Sequence, residues 1–337
     1  MFVGNWFNQP AMIRISAIIC TYNRANNLLR SVESLVKQTI DRSSYEIIVV
    51  ENGCTDNTNG IVKGLQVLYP GHNIILVHEG SQGAGRARNT GVKHSRGDIL
   101  AFMDDDAQAS SNWLEESIRC FDRVKPTPLG IGGPILPFYD STKPKWFKDE
   151  YEIRKWGEQP RFLNQDEAFS GSNMIFKKEV FKKLDGFATD MEIRGEYLIL
   201  GEDTCLFKKM WYSLGRECLL YYLPELRVFH TVPTYKMSVR YRLKRAFAVG
   251  QSLGLQERHK PMMWKLSSLN KMVGLMAKFL ASILVKGGGP GPYIRNKVIE
   301  SFSPILTDIG IGLGLFGFTI PLRQRPLKRA LFGLNDA

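Results

Sequence analysis

Three consecutive carboxylates, Asp104, Asp105 and Asp106, directly follow the apolar run DILAFM at 98–103. Side chains alternate along extended backbone, so Asp104 and Asp106 are expected to share one side and Asp105 to take the other. Two same-side carboxylates repel each other unless a cation or hydrogen-bond donors neutralise them. A hard divalent ion with oxygen ligands, Mg2+ or Mn2+, suits such a pair and commonly bridges to substrate phosphates. The plainer alternative is a solvated acidic turn or a helix cap. A second acidic pair, Glu202-Asp203, opens a predicted helix at 204–214, whose apolar face carries Cys205, Met210 and Leu214 and which Gly215 would stop. A carboxylate there can take a proton from an attacking hydroxyl, or it can simply cap the helix.

Arg88 stands behind the run Gly83-Ala84-Gly85. A dinucleotide-binding fingerprint would need glycine at position 88 and would follow the first strand rather than the third, so that reading is excluded. A turn that offers backbone amides and Arg88 to a phosphate remains, beside the alternative of glycines that allow close helix–strand packing. Trp146 and Trp156 sit among charges in KWFKDEYEIRKW and are either sugar-stacking surfaces on the acceptor side or packing anchors.

The elements that must position these groups are legible as apolar runs. ISAIIC (15–20), YEIIVV (45–50), NIILV (73–77) and DILAFM read as buried strands. Leu28, Val32 and Leu35 recur at helical spacing behind the capping candidates Asn23 and Asn26. Ile61, Val62, Leu65 and Leu68 mark a second helix, and 84–95 a third. Strand–helix alternation at this spacing predicts parallel βαβ units in an open, doubly wound sheet. Ligands bind beyond the carboxyl ends of such strands. That rule selects Thr21-Tyr22-Asn23-Arg24, Glu51-Asn52-Gly53, the stretch after Val77, and the three aspartates. Between 125 and 170, with six prolines, a long functional loop or a short amphipathic helix is expected.

Composition sets the outer limits. The 337 residues are 44% hydrophobic and 23% charged, which excludes wholesale disorder. The net charge of +12 is concentrated at one end: from Lys236 onward there are 17 Lys and Arg against 4 Asp and Glu, while the rest holds 28 against 29. Five scattered cysteines without a CxxC pair point to neither a zinc site nor a disulfide framework, and favour a reducing compartment. The opening residues lack the pattern of a signal peptide. In 236–286 leucines, methionines and aromatics interleave with Lys and Arg, as in basic amphipathic helices that lie on anionic membranes. No nucleic-acid module is present, so nucleic acid is not an expected partner. The segment 302–322 contains an apolar run of fourteen residues, short for a span, and is read as re-entrant or interfacial, with a transmembrane helix that extends back through Asp308 as the alternative.

In the order TYNR, VVENGCTD, GxARN, FMDDDA, SGSNMIF, GED and FH, the chain resembles a family 2 glycosyltransferase over roughly residues 14–252. The resemblance implies the GT-A nucleotide-diphospho-sugar transferase fold, an open, mainly parallel α/β sheet flanked by helices, here with a basic amphipathic helical C-terminal region. With the change of charge beyond His230, the expected division is a leader (1–13), a catalytic domain (14–235) and a basic, membrane-associating region (236–337). The resemblance also implies inverting transfer of a sugar from a UDP, GDP or dTDP donor, assisted by Mn2+ or Mg2+, to a glycan or lipid-linked acceptor. The place expected is the cytoplasmic face of the membrane, with peripheral attachment. Thr21, Tyr22, Asn23 and Glu51 would line the nucleoside pocket and Arg88 would approach the diphosphate. Asp104 and Asp105 would bind the nucleotide sugar, and Asp104, Asp106 and His230 would hold the metal. Gly171 and Ser172 would back the acceptor side, and Asp203 would be the base, with Glu202 beside it. His230 has the ordinary alternative of a buried, hydrogen-bonded histidine. Glu51 departs from the family's usual aspartate and is one methylene longer, which leaves the choice of nucleobase open. The rivals are a nucleotidyltransferase, which would release pyrophosphate, and a non-catalytic nucleotide-sugar-binding membrane scaffold.

Overall fold

The computed structural model describes residues 12–165, 167–189, 202–257 and 292–318, together with 320 and 322. All but the last two residues of the expected leader, and 258–286 of the basic stretch, lie outside the described residues. The described residues fall into two compact units, one of 12–140, 148–189 and 202–232, the other of 141–147 and 233 onward.

The first unit opens with the expected alternation: β1 (Ile15–Thr21), α1 (Ala25–Val36), β2 (Tyr45–Glu51), α2 (Thr58–Leu68), β3 (Ile74–His78), α3 (Ala84–His94) and β4 (Ile99–Asp104). β5 (Ala107–Ala109), α4 (Trp113–Arg123), β6 (Gly130–Gly132), β7 (Ile135–Phe138), β8 (Arg161–Phe162), β9 (Met174–Lys177), α5 (Glu179–Leu184), α6 (Glu202–Leu214), β10 (Leu220–Tyr222) and β11 (Val228–Thr231) follow. Eight strands form the main sheet in the order β3-β2-β1-β4-β9-β6-β10-β8, and β5-β11-β7 form a small second sheet.

β3, β2, β1 and β4 are parallel, as the βαβ pattern predicts. Beyond β4 the sheet is mixed. β9 runs antiparallel to both β4 and β6, and β10 is parallel to β6 and antiparallel to β8. The central strands are apolar on both faces because both faces are covered. Ile15, Ala17, Ile19, Ile47 and Val49 pack with Leu28, Val32 and Leu35 of α1 and with Trp113 and Leu114 of α4. Ile18, Ile48, Val50, Leu100 and Phe102 pack on the other face with Val180, Phe181, Leu206 and Phe207. Each fully buried side chain of this size contributes roughly 1.5–3 kcal/mol, so the sheet ends are held as a stiff edge. Leu68, expected on the buried face of α2, is exposed.

Two local expectations are corrected. The first turn of α1 is not capped by Asn23 or Asn26. The Ala25 amide donates to Asp56 Oδ2 at 2.9 Å, while the Asn23 side chain accepts from the Thr55 and Asp56 amides and so holds that loop against the helix start. The 125–170 region contains the short strands β6 to β8 and a single 3-10 turn at Asp149–Tyr151 instead of an amphipathic helix.

In the second unit, α7 (Val239–Gln256) and α8 (Pro292–Leu315) pack together through glycines. A Cβ on Gly250 or Gly254 would strike the Thr307 or Ile311 carbonyl, and one on Gly310 or Gly314 would strike that of Phe247 or Gln251. The backbones therefore meet directly. α8 runs through Asp308 and Pro304, well before the apolar run read from the sequence, and Arg295–Leu315 is long and apolar enough to cross a membrane.

Candidate active site

Strand register aligns the site. Thr21 lies opposite Glu51, Glu51 opposite His78, and Cys20 opposite Asp104, so the carboxyl ends of the four parallel strands form one row. The three aspartates at the end of β4 then part as alternation requires. Asp105 turns into the protein, where its carboxylate accepts from Thr21 Oγ1 at 2.7 Å and from Arg24 at 2.9 Å. Burial raises the Asp105 pKa against the pull of Arg24, while Asp105 and then Asp106 drive that of Arg24 upward. Thr21 and Asp105, expected as nucleotide contacts, are both buried and hydrogen-bonded to each other.

Asp104 and Asp106 face the other way. Their carboxylates and a ring nitrogen of His230 lie within 4.8 Å of one another. His230 arrives on β11, which pairs with β5 so that His230 sits opposite Ala107, the residue after Asp106. Its Nδ1 lies 3.1 Å from the Thr231 carbonyl and its Nε2 3.1 Å from Asp106 Oδ1. Arg24 reaches Asp106 Oδ2 at 3.3 Å from one side, and the two carboxylates and the imidazole together form a compact set of oxygen and nitrogen donors. Nitrogen and oxygen donors of this kind suit a divalent metal, so the residues present fit the ion that the sequence led us to expect.

Asp203, in the first turn of α6, stands beside this cluster through Arg88. The Arg88 guanidinium is buried over the Phe187 ring at 5.6 Å, donates to Asp203 Oδ1 at 3.1 Å, and reaches 3.6 Å from Asp104 Oδ1. The second oxygen of Asp203 accepts from the Gly171 amide at 2.7 Å. A Cβ on Gly171 would come within 2.5 Å of both Asp203 oxygens and 2.7 Å of the Arg88 guanidinium, so this approach requires glycine. Ser172 is buried, and its hydroxyl has no partner among the described residues. Glu202 opens α6, and its side chain lies outside the described residues.

At the end of β2, Glu51 is buried and curls back. Its Oε2 accepts from the Cys54 amide at 2.8 Å, across a turn in which Gly53 has φ +72°, and its Oε1 contacts His78 Nδ1. Burial opposes its charge, but the Cys54 amide and His78 together hold its carboxyl below the usual range. The additional methylene is used in this fold-back. Tyr22 accepts from Gln82 at 2.9 Å, and the Asn23 amide oxygen is committed to the 55–56 loop. Asn52 ties the strand ends together by donating to the Ser81 carbonyl and accepting from the Gly83 amide, both at 2.7 Å. The Gly83 amide is therefore engaged, and Gly85 packs against the Ala188 carbonyl, so these glycines serve close packing while Arg88 turns to Asp104 and Asp203.

Trp146 is not an acceptor surface. It is buried in the second unit, edge-on to Phe147 and covered by Arg295 at 5.8 Å. Trp156 remains 37% exposed. Arg24 and Asn52 were given no role from sequence, although both lie in the stretches beyond strand ends that the alternation rule selects.

Among known proteins, the chain is 24% identical over 250 residues to the glucosyl-dolichyl phosphate glucuronosyltransferase of Haloferax volcanii, covering 71% of this chain and 76% of that protein. It is 27% identical over 250 residues to the succinoglycan biosynthesis protein ExoM of Rhizobium meliloti, covering 72% and 74%. Among solved structures, the mannosyltransferase PcManGT from Pyrobaculum calidifontis, in complex with GDP-Man and Mn2+, aligns with a TM-score of 0.52 at 18% identity over 91% of this chain and 76% of that one. That likeness shows a shared fold, the GT-A arrangement. The profile of the family described as Glycosyl transferase family 2 matches residues 16–185, half of the sequence. The chain therefore belongs to glycosyl transferase family 2 and is a glycosyltransferase.

Proposed function

We propose that this enzyme transfers a sugar with inversion from a UDP, GDP or dTDP sugar to a hydroxyl of a glycan or lipid-linked acceptor, with Asp203 as the general base. The observation that carries this reading is the single guanidinium of Arg88 set between Asp203 and Asp104. Asp104, Asp106 and His230 would hold Mn2+ or Mg2+, which when bound offsets the charge of a diphosphate. Asp203 takes the acceptor proton as the hydroxyl attacks the face opposite the leaving group. Gly171 and Arg88 each engage one of its oxygens, which fixes the carboxylate for that task. Arg88, buried and always charged, also adds a positive group on the diphosphate side.

A lipid-linked acceptor is in keeping with the relative whose name specifies a glucosyl-dolichyl phosphate. The apolar length of α8 and the excess of Lys and Arg from 236 onward support attachment to the inner, anionic face of the cell membrane. Flotation of the full chain with anionic but not neutral liposomes is the expected result, and equal flotation with both would contradict the electrostatic attachment. The donor is tested by calorimetry with UDP, GDP and dTDP, each with Mn2+ and with EDTA. One diphosphate should bind, and EDTA should remove most of that binding. Asp106→Asn should do the same in the presence of Mn2+, and metal-stimulated affinity unchanged in that variant would exclude the metal assignment.

A further inference from the structure

We propose that Trp156 is the stacking platform for a pyranose ring of the acceptor, close to the transfer point. The inference rests on the reading of Asp203 as the base. Of the described tryptophans, 113 and 146 are buried, 211 is half-buried with its indole nitrogen enclosed, and Trp156 is exposed. No aromatic ring or cation among the described residues covers it. Its polar end is already satisfied: the indole N–H donates to the Ala168 carbonyl at 2.9 Å. The rest of the side chain is apolar ring, and a tryptophan π face attracts the weakly positive C–H face of a sugar ring.

The position is fixed relative to the base. Ala168, which takes the indole N–H, and Gly171, whose amide holds Asp203, belong to one four-residue segment. Three residues of chain span at most roughly 10 Å, so the ring lies within a short oligosaccharide of the reacting hydroxyl. The loop that carries Trp156 is tied down on both sides. Arg154 donates to Ser170 Oγ at 2.6 Å, Arg161 Nε donates to the Trp156 carbonyl at 3.3 Å, and the Tyr222 hydroxyl donates to the Gly157 carbonyl at 3.1 Å. Arg161 is itself paired with Glu167 at 2.7 Å. A surface aromatic with no function would not need this much anchoring, since an ordered ring gives up rotamer freedom. Lys155 and Glu158 flank it as an exposed ion pair, the kind of polar rim that hydrogen-bonds sugar hydroxyls.

The test is saturation-transfer NMR on the full chain with methyl β-cellobioside and methyl α-mannobioside, alongside hydrolysis of the nucleotide sugar by water. Wild type should transfer saturation to the axial ring protons of at least one glycoside. Trp156→Ala should lower that signal about tenfold, Trp156→Phe should keep most of it, and both variants should hydrolyse donor at the wild-type rate. No transfer from wild type to either glycoside, or equal transfer from Trp156→Ala, would overturn the proposal. So would a parallel fall in donor hydrolysis, which would make Trp156 a support for Gly171 and Asp203. A ring that responds to a short alkyl alcohol and to neither glycoside would also overturn it, in favour of a lipid contact. Failure of the glycosyl-transfer reading is distinct, because wild type would then neither bind nucleoside diphosphate nor hydrolyse donor.

Discussion

The Arg88 guanidinium donates to Asp203 at 3.1 Å, joining residues 115 positions apart in the chain. Arg88 belongs to α3, which follows the third parallel strand, and Asp203 to the first turn of α6. In the proposed mechanism this contact sets the two chemical tasks of the site, accepting a proton and accommodating a diphosphate, on either side of one buried cation.

Gly171 is the most sensitive neighbour of that pair. Gly171→Ala puts a methyl group against both Asp203 oxygens and Arg88, so the carboxylate must move off the Gly171 amide. Transfer is expected to fall by about 10²-fold through this misplacement, with donor affinity nearly intact. Steady-state kinetics beside nucleotide calorimetry checks this, and an alanine variant of normal turnover would show that the amide contact is dispensable.

Arg24 should matter for stability before it matters for catalysis. Its removal leaves Asp105 buried without its countercharge, which costs about 3–5 kcal/mol in comparable pairs. Arg24→Met should therefore lower the denaturation midpoint sharply, and Arg24→Met with Asp105→Asn should recover much of the loss. A single variant as stable as wild type would mean that the pair adds nothing to the fold.

Glu51 gives a pH dependence with a defined sign. Its carboxyl is held below the ordinary 4.5 in the fold, so its charged form stabilises the protein fully above about that pH. The contribution is lost as the pH falls through the folded value. Glu51→Gln should be less stable than wild type at neutral pH, and the gap should close on acidification. Thermal midpoints across pH 3–7 read this directly, and a gap that widens in acid would reverse the assignment.

Several of these relationships could be read from the chain and others could not. The parallel strands β1 to β4 were legible because their apolar runs are long and are followed by polar breaks, as in ISAIIC before Thr21. Alternation alone separated Asp105 from Asp104 and Asp106. The partner of Asp105 was not predictable, since Arg24 is 81 residues away and nothing local singles it out. His230 reaches Asp106 only through the pairing of β11 with the three-residue β5, and AQA carries no strand signal by itself. β9 crosses antiparallel between β4 and β6 because of tertiary packing, which a pattern of local runs does not encode. Trp146 and Trp156 look alike in sequence, and only burial separates a packing anchor from an exposed ring.

The most direct test of the central claim is Asp203→Asn, assayed for sugar transfer and, by calorimetry, for donor binding in the same preparation. The amide keeps the size of the side chain and can still accept from Gly171, but it cannot take a proton from the acceptor. Transfer should fall by about 10²-fold or more while donor affinity stays within a factor of about two. Near-normal turnover in this variant would contradict the assignment of Asp203 as the base.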